Sequence, residues 1–418
     1  MSNDWHGELP DSWMLSPAKS LFRERREPSH TEDTHLTPSQ SHGVLPQTEY
    51  TAITGNRVVQ NIEGQNSMKH VEPDDFIIHL RSFQGGLEHS KLAGKVSTAY
   101  TVLSPMRGAV PSYYRWLLKS DAYIQVLRTT TNQLRDGQSI RFGDFTKVPL
   151  PAPPPAAQRA IADYLDRETA QIDTLIAEQQ RLIALLRERR VALQATAFAP
   201  WVERDAGSRL KHAIVGSRQG WSPDCYGWPA DGVGVWAVLK AGAANGGIFR
   251  PHENKELPDD LAPRPETVVR EGDVIVSRAN TRDLVGSAAV VVGEFPKLQL
   301  CDKLYALEVE RATAIPDFVA GALGHPASRG RIELAASGSS PSMQNVSKTD
   351  ILNLPLDLPD LDTQRSVVKR LQRDVRRVDA LTREAERLIE LARERRSALI
   401  TAAVTGQIDT QRMVGEAS

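Results

Sequence analysis

Residues 158–197 align without gaps to residues 364–403 at a constant offset of 206, and 18 of the 40 positions are identical. A repeat of this length constrains the fold more than any composition can, because it makes the chain a tandem duplication. Gln158-Arg159 matches Gln364-Arg365 and Asp173 matches Asp379. Arg187-Glu188-Arg189-Arg190 likewise matches Arg393-Glu394-Arg395-Arg396. The same offset pairs Gln138, Ile140, Asp144 and Pro149 with Gln344, Val346, Asp350 and Pro355, so the duplicated unit includes the end of each preceding segment.

Each repeated segment has the period of a long helix. In the first copy Leu165, Ile172, Ile176, Ile183, Leu186 and Leu193 fall at spacings built from threes and fours, as a coiled-coil seam requires. The second copy carries Leu371, Val375, Val378, Ile389 and Leu399 on the matching stripe, while Thr382, Ala385 and Ala392 weaken its middle. Pro153 to Pro155 and Pro359 precede the helices and Gly406 follows the second, where proline and glycine suit helix starts and ends. About 40 residues of helix span roughly 60 Å, more than one small domain needs for its own core. The expectation is a spacer: two helices paired antiparallel, with a globular unit toward each end.

The boundaries expected from these signals are a globular segment at 1–150, a central helix at 151–200, a second globular segment at 201–355, a C-terminal helix at 356–410 and a tail at 411–418. Both globular segments have short apolar runs broken by Gly, Pro, Asn and Ser, the pattern of mixed α/β (α+β) domains. Gly272-Asp273-Val274-Ile275-Val276-Ser277-Arg278 predicts a turn into a buried strand, followed by Leu284-Val285-Gly286 and the β-branched run 290–292. Asp74-Asp75-Phe76-Ile77-Ile78 is its counterpart in the first segment. The helices are alike and the segments between them are not, so the copies have kept a scaffold and changed a surface.

Chemistry is hard to place in this chain. No Gly-x-x-x-x-Gly-Lys-Ser/Thr phosphate loop occurs, which argues against a nucleotide-driven motor. Asn353-Leu354-Pro355-Leu356 lacks the second proline and the stacking aromatic of the amino-methyltransferase element, and is expected to be a strand end. The ten histidines form no His-Glu-x-x-His pair, and His30, His35 and His42 lie in a polar stretch expected to be loop, so no metal is predicted. Cys225 and Cys301 are too few for a disulfide framework, and no apolar run reaches the length of a membrane span, which together favour a cytoplasmic protein without membrane contact. Net charge is −1, yet between Phe76 and Arg141 nine basic residues face three acidic ones, about +6 locally.

Two dissimilar domains, each closed by a Leu-Pro-rich segment and a Gln-Arg helix ending in the Arg-Glu-Arg-Arg run, together with the Gly-Asp-Val-Ile-Val-Ser-Arg strand, resemble the specificity subunits of type I restriction-modification enzymes. The resemblance covers essentially the whole chain. It implies two target recognition domains in tandem, each reading one half of a split, asymmetric double-stranded DNA target, with the helical pair setting their separation. It also implies a subunit without catalysis of its own. The partners would be two methyltransferase (modification) subunits using S-adenosylmethionine, docked against the helices, and restriction/translocase subunits using ATP and Mg²⁺; no cofactor is expected in this chain. Two alternatives stay open at this point: the recognition subunit of a type IIB restriction system, and a coiled-coil scaffold that binds only proteins.

Residues suited to base edges or phosphates are Arg for guanine, Asn or Gln for adenine, and small hydroxyl groups. The DNA-binding candidates in the first domain are Arg81, Ser82, Gln84, Lys91 and Lys95 near the strand exit, with Arg135 and Gln138 near a later loop. In the second domain they are Arg278, Asn280 and Arg282, and a loop with Ser339, Ser340, Ser342, Gln344 and Asn345.

Overall fold

The structure is a computed structural model, and it describes residues 5–55, 68–79, 82–130, 140–204, 207–340 and 343–408. It divides into two compact units, residues 1–180 with 386–418, and residues 181–385.

The first unit is built on a four-stranded antiparallel sheet in the order Phe22–Arg25, Thr101–Pro105, Phe76–Ile78, Glu88–His89. Its central strand is apolar without alternation because both faces are covered. Phe76 and Ile78 join the main core with Tyr113, Tyr114 and Tyr123 from the helices Pro111–Leu117 and Asp121–Thr129. Ile77, pointing the other way as strand geometry demands, packs with Leu36, Val44, Val71, Val96 and Val102. That second layer consists of two strand pairs, Leu36–Ser39 with Gly43–Pro46 and Lys69–Val71 with Gly94–Val96.

The second unit repeats the plan. Its sheet runs Ile214–Gln219, Leu304–Val309, Val274–Ser277, Ala288–Val290, again antiparallel throughout. Val274 and Val276 face the core carrying Phe318, Val319 and Ile332 from the helices Pro316–Gly324 and Pro326–Ala335, and Ile275 faces a separate core with Leu239, Leu298 and Leu300. The two runs matched in the sequence, 74–78 and 272–276, therefore occupy equivalent places. The run 290–292 is strand only as far as Val290, and Val292 is 70% exposed.

Corresponding joints secure both sheets. Arg25 Nε donates to Asp75 Oδ2 at 2.7 Å, and that oxygen also accepts the Glu72 N–H at 2.9 Å. Arg218 pairs with Asp273 through Nη2 rather than Nε, and Asp273 Oδ2 likewise accepts the Arg270 N–H at 2.7 Å. Each of these aspartates follows a residue in the left-handed region, Gly272 (φ 81°) in one unit and Asp74 (φ 72°) in the other, a conformation aspartate tolerates better than most side chains.

The two repeated segments are helices Pro155–Val202 (48 residues) and Leu361–Val404 (44 residues). In the first unit Ile161, Tyr164 and Leu165 share a core with Leu399, Ile400 and Val404, and farther along Arg396 Nε bonds Asp173 Oδ1 at 2.9 Å. In the second unit Phe198 and Trp201 share a core with Leu371, Val368 and Val367, and Arg190 meets Asp379 at 3.5 Å. Advancing along one helix moves backwards along its neighbour, so the pairing is antiparallel. Leu165, Ile172, Ile183 and Leu186 are buried as the seam predicts, and Ala385 and Ala392, which interrupt the large-residue stripe, are buried on it too. Small side chains there let the backbones approach rather than weakening the seam.

The conserved Gln-Arg start of each repeat has a structural task. Gln158 is fully buried, accepts the Val110 N–H at 2.8 Å, and donates to the carbonyls of Gly108 (2.8 Å) and Pro153 (2.7 Å). Gln364 accepts the Ile315 N–H at 2.9 Å and donates to Thr313 and Pro359, both at 2.8 Å. One amide thus fastens each helix to the turn preceding a domain helix.

Candidate nucleic-acid interface

In the second unit two separate stretches of candidates come together. Ala279–Asn280 continues from the central strand and pairs with Met343–Asn345, placing Ala279 opposite Asn345 and Asn280 opposite Gln344. Met343–Asn345 pairs in turn with Ser337–Ser340, so the expected loop is a three-stranded ribbon. Backbone bonds anchor it to the sheet: Arg278 N–H to Lys303 O at 2.9 Å and Val346 N–H to Arg278 O at 2.9 Å.

The side chains divide into braced and exposed groups. Asn280 donates to Asn245 Oδ1 at 3.2 Å and to Ser277 Oγ at 3.3 Å, and its own Oδ1 accepts the Thr281 N–H at 2.9 Å. Arg278 lies over the Tyr305 ring, 5.8 Å from its centroid, with Nη1 3.5 Å from Asp302 O. Among the described residues, Arg278 Nε and Asp302 Oδ1 are buried with no hydrogen-bond partner, an arrangement that costs free energy. Arg282 is exposed and paired with Glu333. Gln344 and Asn345 are half-buried on the ribbon, Gln344 Nε2 facing Gly338 O at 3.5 Å. Ser339 and Ser340 belong to the ribbon by their backbone, and Ser342 lies outside the described residues.

Asn245, Lys303 and Asp302 were missed by sequence reasoning. Asn245 sits in the segment Ala241–Gly247, followed by Gly246 and Gly247 at φ 69° and 74°. Two adjacent glycines after an asparagine mark a sharp turn, the one signal that could have found it.

The first unit gathers its candidates less. Arg81, Arg135 and Gln138 lie outside the described residues. Ser82 is buried and accepts the His79 N–H at 2.9 Å, which makes it part of a turn, while Gln84 is exposed. Lys95 lies on the strand Gly94–Val96 opposite His70. Lys91 is exposed and lines a cleft of about 390 Å³ with His89, Arg115, Lys119 and Arg396. In that cleft Arg115 pairs with Asp166, and Lys119 with the buried Glu88 at 2.8 Å. Burial pushes the Glu88 carboxyl above its ordinary range, against the opposing pull of Lys119.

Among the described residues of the two sites, no nucleophile is activated by its surroundings. The Cys301 thiol is pushed up to about 11 by burial, which leaves it protonated near neutrality. The expectation that the early histidines hold no metal rested on motif spacing. His35 and His42 remain apart from any cluster, but His30 meets Glu27 and His70 through the fold. No helix among the described residues is long and apolar enough to cross a membrane.

No protein-family model matches the chain. Among curated proteins it is similar to the type I restriction enzyme EcoEI specificity subunit of Escherichia coli, 29% identical over 164 residues, which cover 39% of this chain and 28% of that one. It is also similar to the StySPI specificity subunit of Salmonella potsdam, 21% identical over 97% of this chain and 91% of that protein, and to the EcoKI specificity subunit of Escherichia coli, 20% identical with the same coverage. Among solved structures, a chain from a type I R-M system has a TM-score of 0.66 at 18% identity, covering 96% of this chain and all of that one. The HsdS subunit from Thermoanaerobacter tengcongensis has a TM-score of 0.61 at 19% identity, covering 97% and 100%.

Fold and site together define two units that share one four-stranded sheet plan, each packed on antiparallel helical segments. In sequence and in fold, the chain is similar to the specificity subunits of type I restriction enzymes.

Proposed function

We infer that this chain is the non-catalytic DNA sequence-specificity subunit of a type I restriction-modification system. Each recognition domain reads one half of a bipartite, asymmetric target, and the helix pair sets the spacing between the halves. The observation that carries this reading is one frame built twice with two different surfaces. Sheet order, Arg–Asp joint and glutamine clamp are repeated, whereas among the described residues the outer layer is two strand pairs in the first unit and a three-stranded sheet in the second, which also carries the ribbon of Arg278, Asn280, Gln344 and Asn345. Duplicated scaffolds with unlike polar surfaces suit a split target with unlike halves, since Arg, Asn and Gln match base edges bidentately. Modification subunits with S-adenosylmethionine, and restriction subunits with ATP and Mg²⁺, would supply the chemistry.

Co-expression with the neighbouring modification subunit, followed by mapping of N6-methyladenine across the host DNA, tests this directly. The expected result is a split motif that disappears when this chain is deleted. Methylation unchanged by the deletion in an active system would overturn the reading.

A further inference from the structure

We propose that Glu27, His30 and His70 in the first unit hold a divalent transition-metal cation of the zinc class, with the Asp33 carboxylate fixing the His70 ring from behind. One ligand atom from each of the three residues lies within 4.8 Å of the other two, close enough for small side-chain movements to bring them onto one ion at about 2.0–2.2 Å. The imidazoles of His30 and His70 stack at 4.1 Å with 20° between their planes, and His30 Nε2 is 3.0 Å from Glu27 Oε1.

His70 supplies the second observation. It is 3% exposed, its Nδ1 is 2.8 Å from Asp33 Oδ2, and its Nε2 is 3.0 Å from Glu72 Oε1. A neutral imidazole has one N–H, and here two carboxylates face its two nitrogens. With the proton on Nδ1, toward the buried Asp33, Nε2 presents a lone pair to the negative Glu72, a repulsion that a cation between them removes. A ring nitrogen held by a carboxylate while the other faces outward is the arrangement that orients metal-bound histidine. Three carboxylates around two imidazoles, offset in part by Arg25 Nη1 at 3.0 Å from Glu27 Oε2, also leave the cluster with negative charge that a divalent ion offsets. Glu72 is the natural fourth ligand.

Such an ion would fasten residues 27–33 to the strand Lys69–Val71, reinforcing the bonds Ser29 N–H to Met68 O at 2.8 Å and His70 N–H to Glu27 O at 3.0 Å. That strand pairs with Gly94–Val96, so the position of Lys95 would be tied to metal occupancy.

The test is titration of chelator-treated full-length chain with Co²⁺, read by visible d–d absorption, and with Zn²⁺ by calorimetry. About one equivalent should bind, and Asp33→Asn should weaken binding about 10–100-fold, as loss of an orienting carboxylate does. Glu27→Gln and His30→Gln should weaken it at least as much. Both replace side chains that are 43% and 56% exposed, so circular dichroism should show the fold intact. His42→Gln should leave binding unchanged. Absence of saturable binding, or binding unaffected by Glu27→Gln and His30→Gln in folded protein, would overturn the proposal and leave a proton as the bridge at His70.

Discussion

The two units use the same four-stranded sheet and cover it differently. In the first, the outer layer is two strand pairs around a core of six buried residues; in the second it is a three-stranded sheet with Ala237–Leu239 at its centre and a larger core. The edge strand shows the contrast at single positions: opposite Ile77 stands the buried Glu88, and opposite Ile275, at the equivalent place, stands Ala289. What stayed constant are the parts that hold a sheet to a helix, and what changed are the parts that face outward.

That contrast can be broken at its joints. Asp75→Ala and Asp273→Ala each take the buried carboxylate from a largely buried arginine, leaving Arg25 with Glu27 and Arg218 with the Val268 carbonyl, and each should cost about 3–5 kcal/mol in urea or thermal unfolding. If the joints are equivalent, the two losses should agree within about 1 kcal/mol, the usual scatter of context. Gln158→Ala and Gln364→Ala should each cost about 2–3 kcal/mol, because each strands one buried N–H and two carbonyls. Hydrogen exchange should speed up at the Val110 amide in the first variant and at Ile315 in the second, and not the reverse.

A smaller change should sharpen the contrast between frame and surface. Asn280→Ala should weaken recognition at one half-site by about 1–3 kcal/mol and leave the other half-site unchanged, as read from methylation of targets altered in one half. Loss at both halves would mean that Asn280 braces the frame. The smallest effect concerns Glu88. Its folded carboxyl binds a proton more tightly than in the unfolded chain, so its contribution to stability is greatest below the ordinary glutamate range. That contribution falls as pH rises from there through the raised value. Glu88→Gln should flatten this part of the pH-stability profile, and a profile unchanged by the substitution would show that Lys119 fully offsets the burial.

Much of the frame was legible in the sequence. The seam from Leu165 to Leu186 and the match of runs 74–78 and 272–276 follow from periods of three and four and of two, which local sequence records. The match of Gln158 with Gln364 was visible, but its clamp was not, since the partners Val110 and Ile315 contribute backbone groups that no side-chain pattern reveals. Arg25 and Asp75 lie 50 positions apart and Arg218 and Asp273 lie 55 apart, distances over which sequence records no pairing. The recognition ribbon was half legible: residue type pointed to Asn280 and Gln344, while their meeting across strands, and the approach of Asn245, depend on tertiary structure. His30 and His70 were obscured for the same reason, because 40 residues separate two groups whose rings stack.

The glutamine clamp also bears on how such a protein can change. Gln158 and Gln364 grip only peptide groups of the domain, Gly108 and Val110 in one case and Thr313 and Ile315 in the other. A joint made to the main chain is indifferent to side-chain identity. Any domain that presents a comparable turn can make this joint without a change in the glutamine, although contacts such as Arg115 with Asp166 remain specific to the pair of side chains. That one joint therefore places no demand on the side chains of the turn it holds.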